Sequence, residues 1–400
     1  MKMVLELSRK GKSIEPSVTL AITAKANAMK KAGENVISFS AGEPDFNTPE
    51  NIQNSGIEAI KSGFTKYTPA SGTPELKEAI CKKLKADNNL DYKPSEIIVS
   101  NGGKHSLYNA LMAILNPGDE VIFSIPYWVS YPELIMIAGG EPVMLQTSED
   151  KEFKFSSKDL DTVKTDKTKA VILNSPNNPT GSVYTDEELQ DIADWAVENN
   201  VFVISDELYE KLVYDGLKHT SIASLNVNIK KLTITVNGMA KAYAMTGWRI
   251  GYTAADENII KIMSNIQSHT TSNPNSIAQY ASIEGLTGSQ DSIMAMKEEF
   301  DKRRKIMADL INSIKGISCV VPKGAFYIML NSSQLYGSEI EGMKIDSSVD
   351  FANLLLEKCK VAVVPGVAFG DDKYVRLSYA TSAENINEGL NRVKELLGSK

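Results

Sequence analysis

The sequence predicts an α/β protein: a mostly parallel sheet fed by crossover helices, followed by a smaller α+β unit. Between residues 95 and 254, short runs rich in Val, Ile and Phe alternate with longer amphipathic stretches, the pattern of strands connected by helices. After Pro274 the texture changes to long helical stretches with many charges on one side. The chain has 400 residues, 42% of them hydrophobic, which is enough to bury two cores.

In chain order, the clearest strands are expected at 97–100, 120–125, 170–174, 201–205, 232–236 and 249–253. Each is a short β-branched or aromatic run bounded by polar or turn-forming residues. Helical spacing covers 104–115 and 185–197, and Asn116-Pro117-Gly118-Asp119 marks a turn. Long helices follow at 276–286 and 291–314 and are expected to bridge two domains. The last part carries short strands near 325–330, 361–364 and 374–379, with helices at 348–359 and 383–397. No internal repeat, low-complexity tract or disordered linker is visible.

Composition excludes several classes of function. With 43 Lys and Arg against 50 Asp and Glu, the formal net charge is −7, and no basic cluster suits a nucleic acid. No apolar run approaches the roughly 20 residues that span a bilayer. The segment 1–12 lacks the apolar centre of a signal peptide, so a cytoplasmic protein is expected. Cys81, Cys319 and Cys359 lie far apart without metal-ligand spacing, and are expected to be buried or idle thiols; no metal site is expected.

Three segments carry candidate chemistry. Asn174-Ser175-Pro176-Asn177-Asn178-Pro179-Thr180-Gly181 follows a buried-looking strand, where ligands of open α/β sheets bind; its residues are also ordinary turn formers. Asp206 ends the apolar run 201–205, where a carboxylate must be paired or must cap the following turn. Tyr209, three residues on, would share its face on a helix. Lys241 follows the strand at 232–236, and Arg249 stands eight residues later in an apolar, Gly-flanked setting. One cation suits a nucleophilic amine and the other a phosphate clamp. A Rossmann-type dehydrogenase is excluded, because Gly102-Gly103 lacks the remaining glycines of that motif.

Taken in order, NSPNNPTG (174–181), SDELY (205–209) and NGMAKAYAMTGWRIGY (237–252) resemble the class I aminotransferases of fold type I, the bacterial aspartate enzymes in particular. Ser40-Ala41-Gly42-Glu43-Pro44-Asp45-Phe46, Thr65-Lys66-Tyr67, Pro126-Tyr127-Trp128-Val129-Ser130-Tyr131-Pro132 and Val375-Arg376-Leu377-Ser378 extend the resemblance to essentially the whole chain. It implies a seven-stranded, mostly parallel sheet in a large cofactor domain at 46–290. The small domain at 291–400 is completed by an N-terminal arm at 1–45.

The resemblance also implies pyridoxal 5'-phosphate as cofactor, with Lys241 as the lysine that carries it and later moves the substrate's proton. It implies Asp206 at the ring nitrogen, Tyr209 and Asn178 at the phenolic oxygen, and Trp128 stacked on the ring. The phosphate falls to Gly102, Gly103 and Lys104 at a helix start and to Arg249, with Tyr67 reaching from the partner of a homodimer with shared sites. Arg376 matches the residue that binds the substrate α-carboxylate, assisted by Asn178 and the backbone of Gly42. For the distal carboxylate the candidate is Lys104, supported by Ser17 or Thr19; Lys104 also reads as a surface residue at a helix start. The implied reaction moves the amino group of L-aspartate to 2-oxoglutarate by a ping-pong mechanism. Alternatives are an aromatic or alanine aminotransferase and a carbon–sulfur lyase using the same lysine. Glu15 stands where relatives that use prephenate resemble it with a lysine, which argues against that substrate.

Overall fold

The computed structural model describes residues 6–12, 14 and 18–398. Glu15, Ser17 and the side chain of Thr19 lie outside the described residues. Strand β1 (Ile37–Ser38) precedes a seven-stranded sheet made of β2 (Ile97–Ser100), β3 (Glu120–Ile125), β4 (Glu141–Gln146), β5 (Thr168–Asn174), β6 (Phe202–Asp206), β7 (Thr233–Gly238) and β8 (Gly251–Ala254). The spatial order is β2-β8-β7-β6-β5-β3-β4, and β8 runs against both of its neighbours while the remaining pairs are parallel. The inner strands are covered on both faces, which is why β7 is buried throughout and reads as a continuous run rather than an alternating one.

Helices cover both faces. Gly103–Ile114, Tyr131–Ala138 and Glu257–Thr270 supply Leu107, Leu111, Ile135 and Ile260 to one core, and Asp186–Asn199 supplies Leu189, Ile192 and Trp195 to another. The start of Asp186–Asn199 is set by a capping box between Thr185 and Glu188, and its end by Asn200 in the left-handed region. The structure adds β4 and helices at Glu50–Lys61, Pro74–Asn88, Tyr131–Ala138 and Glu257–Thr270 to the elements expected. β4 is an edge strand with exposed positions, so it lacks the apolar run that marks the buried strands.

The C-terminal part contains β9 (Ser318–Cys319), β10 (Tyr327–Asn331), the hairpin β11 (Ser338–Ile340) and β12 (Met343–Ile345), then β13 (Val361–Ala362), β14 (Val364–Pro365) and β15 (Tyr374–Ser378). A four-stranded sheet has the order β14-β15-β10-β9, while β13 pairs in parallel with β1. The single strand expected at 361–364 is therefore two, because its halves find partners in different sheets. The helix expected at 348–359 is α-helical only over Ser348–Leu354 and ends in a wider π turn, Leu355–Cys359. Helix Asp291–Asn312 begins against one core, through Ile293 and Met296, and ends in another, through Phe300, Met307 and Ile311. That second core also takes Ile37 and Phe39 from the N-terminal segment.

Candidate active site

Parallel strands β5, β6 and β7 place their carboxyl ends side by side, with Asn174 opposite Asp206 and Asp206 opposite Val236. Such strand ends are where open α/β sheets bind ligands. The loops leaving them carry Asn178, Tyr209 and Lys241.

Lys241 sits in the turn after β7, half-buried at the ends of the central strands. Its Nζ donates to the Gly42 carbonyl at 2.5 Å and lies 5.6 Å from the Tyr209 ring centre and 5.7 Å from that of Phe326. Burial is the main force pushing its pKa down to about 8, with Arg376 and then Arg249 adding to the effect while Glu43 and Asp206 oppose it. Arg249 is the neighbour expected from sequence to act on this amine; Arg376, 135 positions away in the chain, acts more strongly. An aldehyde trapped by borohydride on the cofactor-free protein should label Lys241 half-maximally near pH 8. Peptide mapping across a pH series checks this, and a midpoint near 10.5, the ordinary lysine value, would contradict the burial argument.

Asp206 is buried at the end of β6 and accepts a hydrogen bond from the Tyr131 hydroxyl at 2.6 Å. Desolvation raises its pKa to about 6 against the opposing hydrogen bonds. The capping contact weighed from sequence is present but long, 3.4 Å from the Leu208 N–H, so Tyr131 is the main partner. The shared helical face expected for Asp206 and Tyr209 does not form: residues 208–211 make a turn. That turn directs the Tyr209 hydroxyl to the Tyr327 hydroxyl, 3.1 Å away.

Arg376, in β15, is buried between two rings, 4.4 Å from the centre of Tyr327 and 4.8 Å from that of Phe369. Its Nη1 donates to Asn178 Oδ1 at 3.1 Å and its Nη2 to the Ser40 carbonyl at 3.3 Å. The buried Nε has no hydrogen-bond partner among the described residues. A guanidinium held by stacking with donors to spare is suited to a carboxylate. Asn178 is set for this contact because its own N–H donates to Asn174 Oδ1 at 2.8 Å. The Asn-rich segment is thus both a turn and part of the site.

Gly102 caps the helix Gly103–Ile114 with φ 89°, and a Cβ there would collide with the Arg249 guanidinium. Arg249 lies outside the strand expected at 249–253: it adopts φ 59° before β8 begins at Gly251. This left-handed step turns its side chain back, so that Nη1 donates to the Thr246 carbonyl at 2.9 Å and Nη2 to the Asn101 carbonyl at 3.3 Å. A helix N-terminus with a guanidinium against its first residues is an anion cradle. Lys104 is exposed, its Nζ 5.1 Å from the Trp128 ring centre, and burial of its stem and then Arg249 lower its pKa. Trp128 is half-buried and meets Tyr131 edge-on at 5.4 Å. Tyr67 is 90% exposed.

The structure therefore joins Lys241, Gly42, Asp206, Tyr209, Asn178 and Arg376 through shared or adjoining contacts. It joins Gly102, Gly103 and Arg249 in a cradle beside Lys104 and Trp128. Sequence reasoning missed the parts played by Tyr131, Tyr327, Phe369 and the Ser40 carbonyl. Tyr131 stood in a recognised motif, whereas nothing around Tyr327 set it apart from core. Among the described residues, Glu207, Glu210 and His219 are close enough to share a cation. Lys83 already pairs with Glu210, while Ser205, Ser221 and His219 satisfy Glu207.

Residues 34–393 match the family model described as Aminotransferase class I and II. The chain is 50% identical over 388 residues to the aspartate aminotransferase of Bacillus sp. (strain YM-2), covering 97% of this chain and 98% of that relative. Among solved structures it is similar to the aspartate aminotransferase from Rhizobium meliloti, with TM-score 0.95, 42% identity and coverage of 98% and 99% of the two chains. It is also similar to the Thermus thermophilus aspartate aminotransferase with maleate, with TM-score 0.93, 41% identity and coverage of 98% and 100%.

Proposed function

The chain belongs to the class I and II aminotransferases, enzymes dependent on pyridoxal phosphate, and from that premise we propose that it moves the amino group of L-aspartate to 2-oxoglutarate at the site around Lys241. The observation that carries this reading is the convergence of a half-buried amine, a buried carboxylate and a stacked guanidinium, Lys241, Asp206 and Arg376. The residues fit the cofactor. The cradle at Gly102 leaves no room for a side chain beside Arg249, which suits a phosphate, and the unpaired Arg376 Nε suits a carboxylate donated by substrate.

When bound, pyridoxal phosphate supplies a carbonyl that takes up the amino group and a ring that accepts the electron pair left at the α-carbon. Lys241, whose pKa burial lowers to about 8, would take the α-proton at Nζ in its neutral form and return it. Asp206, braced by Tyr131, would hold a proton at the ring nitrogen, and Tyr209 and Asn178 would donate to the phenolic oxygen. Trp128 would stack on the ring, while the backbone N–H groups at Gly102, Gly103 and Lys104 and the Arg249 guanidinium would hold the phosphate. Arg376 orients the substrate α-carboxylate, with Asn178 and the Gly42 backbone beside it.

Tyr67 completes the phosphate site of a second subunit, a role its exposure suits and one that requires a homodimer. Residues 46–290 form the cofactor domain, and residues 291–400 with the arm 1–45 form the small one. Selection for a dicarboxylate is supported by the maleate bound to the Thermus relative and by Lys104, a cation beside Trp128 at the rim of the cradle. Lys104→Ala should raise KM for L-aspartate about 10- to 100-fold, the worth of one charge-assisted hydrogen bond, and leave KM for L-alanine within about twofold. Steady-state kinetics with both donors check this.

The deciding experiment mixes the purified, cofactor-loaded protein with L-aspartate and no keto acid. One equivalent of oxaloacetate per active site, with a matching change in the cofactor's absorption, is the expected result. Reaction with aromatic amino acids or alanine but not aspartate overturns the substrate and leaves the reaction class standing. Ammonia and pyruvate released from cystathionine overturn the class in favour of a lyase.

A further inference from the structure

Gln267, on helix Glu257–Thr270, is fully buried and takes no part in the contacts described above. Its Oε1 accepts from Ser100 Oγ at 2.7 Å and from Asn109 Nδ2 at 2.9 Å; its Nε2 donates to the Ala70 carbonyl at 2.6 Å and to the Val99 carbonyl at 2.8 Å. All four hydrogen-bonding positions of a primary amide are thereby used. Val99 and Ser100 end β2 directly before Asn101-Gly102-Gly103-Lys104. Asn109 lies on the helix which that loop opens, and Ala70 lies in the loop that carries Tyr67.

The same loop is held further along by a second fully buried glutamine. Gln279 Oε1 accepts the Thr73 N–H at 2.9 Å, and Nε2 donates to Thr68 Oγ1 at 3.0 Å. The Val99 N–H also donates to the Ser71 carbonyl at 2.9 Å. A buried amide is unfavourable unless every partner is in place, whereas methionine of similar size would pack without that demand. Gln267 thus imposes one geometry on segments that apolar packing would leave freer to shift.

We propose that Gln267 is a positioning residue for the phosphate grip: one side chain aligns the cradle of its own subunit with the loop that presents Tyr67 to the partner's. The proposal rests on the phosphate roles given above to residues 101–104 and Tyr67. Its signature is affinity lost for the phosphate group alone.

Equilibrium binding of pyridoxal 5'-phosphate and of phosphate-free pyridoxal to the cofactor-free dimer isolates that signature, because both ligands react with Lys241. Gln267→Met should weaken pyridoxal 5'-phosphate about tenfold or more while pyridoxal changes by less than about twofold, from the loss of several buried hydrogen bonds. An equal loss for both ligands, or an unchanged ratio, assigns Gln267 to stability alone and overturns the proposal. Where Gln267→Met does not accumulate as folded dimer, Ser100→Ala decides, since it removes a single donor. A fall of about threefold in the affinity ratio is expected, and an unchanged ratio overturns the proposal. A wild-type protein that binds both ligands equally overturns the phosphate reading itself, and the proposal with it.

Discussion

Lys241→Ala is expected to lower turnover about 10⁴-fold or more while leaving the protein folded. The two functions proposed for Lys241, covalent attachment of the cofactor and movement of the α-proton, leave with one side chain, and proton transfer alone is typically worth about 10²- to 10⁴-fold. Lys104 is exposed at the rim of the cradle with its Nζ over the Trp128 ring, so it is not placed to substitute for Lys241. Folding should survive, because removing an amine whose charge is opposed by burial and by Arg376 relieves a cost. Rapid-quench measurement of oxaloacetate formation, beside circular dichroism, separates the two effects. A variant retaining more than about a tenth of the wild-type rate would show that another group moves the proton.

Asp206→Asn is expected to keep the cofactor yet lose about 10²- to 10³-fold in turnover, the usual range for one charge-stabilising group in a dry site. Asparagine still accepts from Tyr131 and fills the same space, so the loss reports charge rather than shape. The same substitution should stabilise the cofactor-free protein. Asp206 has its pKa raised to about 6 from 3.8, so the folded state binds its proton more tightly than the unfolded chain. Its favourable contribution is therefore fully present below about pH 3.8 and disappears as pH rises through about 6. Above that pH, the buried charge disfavours folding by about 3 kcal/mol, taking about 1.36 kcal/mol per pKa unit. Denaturant titrations of both proteins from pH 4 to 7 should diverge across this window, the variant gaining with rising pH. Parallel curves would mean that Asp206 is not desolvated as its surroundings require. A residue that lowers stability for the sake of reactivity is a recognised trade at active sites.

The central strands and their functional ends were legible because a doubly covered parallel strand must be apolar along its length, so a polar residue at its end stands out. Asp206 stood out in this way, whereas Lys241 became a candidate only through the order of motifs along the chain, which also identified the family. The edge strand β4 carried no such contrast, since half of it faces water. The division of residues 361–364 between two sheets was equally hidden, because pairing partners are chosen in space rather than in sequence.

By itself, then, the sequence determined the fold class and the family, and marked Lys241, Asp206 and Arg376 as candidates that the fold brings into one site. Each announces itself through local contrast or a motif. Only the tertiary structure decided that Tyr131 braces Asp206, that Tyr327 and Phe369 sandwich Arg376, that Arg376 acts on Lys241 more strongly than Arg249 does, and that Gln267 ties two loops together. Apart from Phe369, those facts join residues 49 to 197 positions apart. Hydrogen bonds and desolvation act over a few ångströms of space, a distance that periodicity and composition along the chain do not encode.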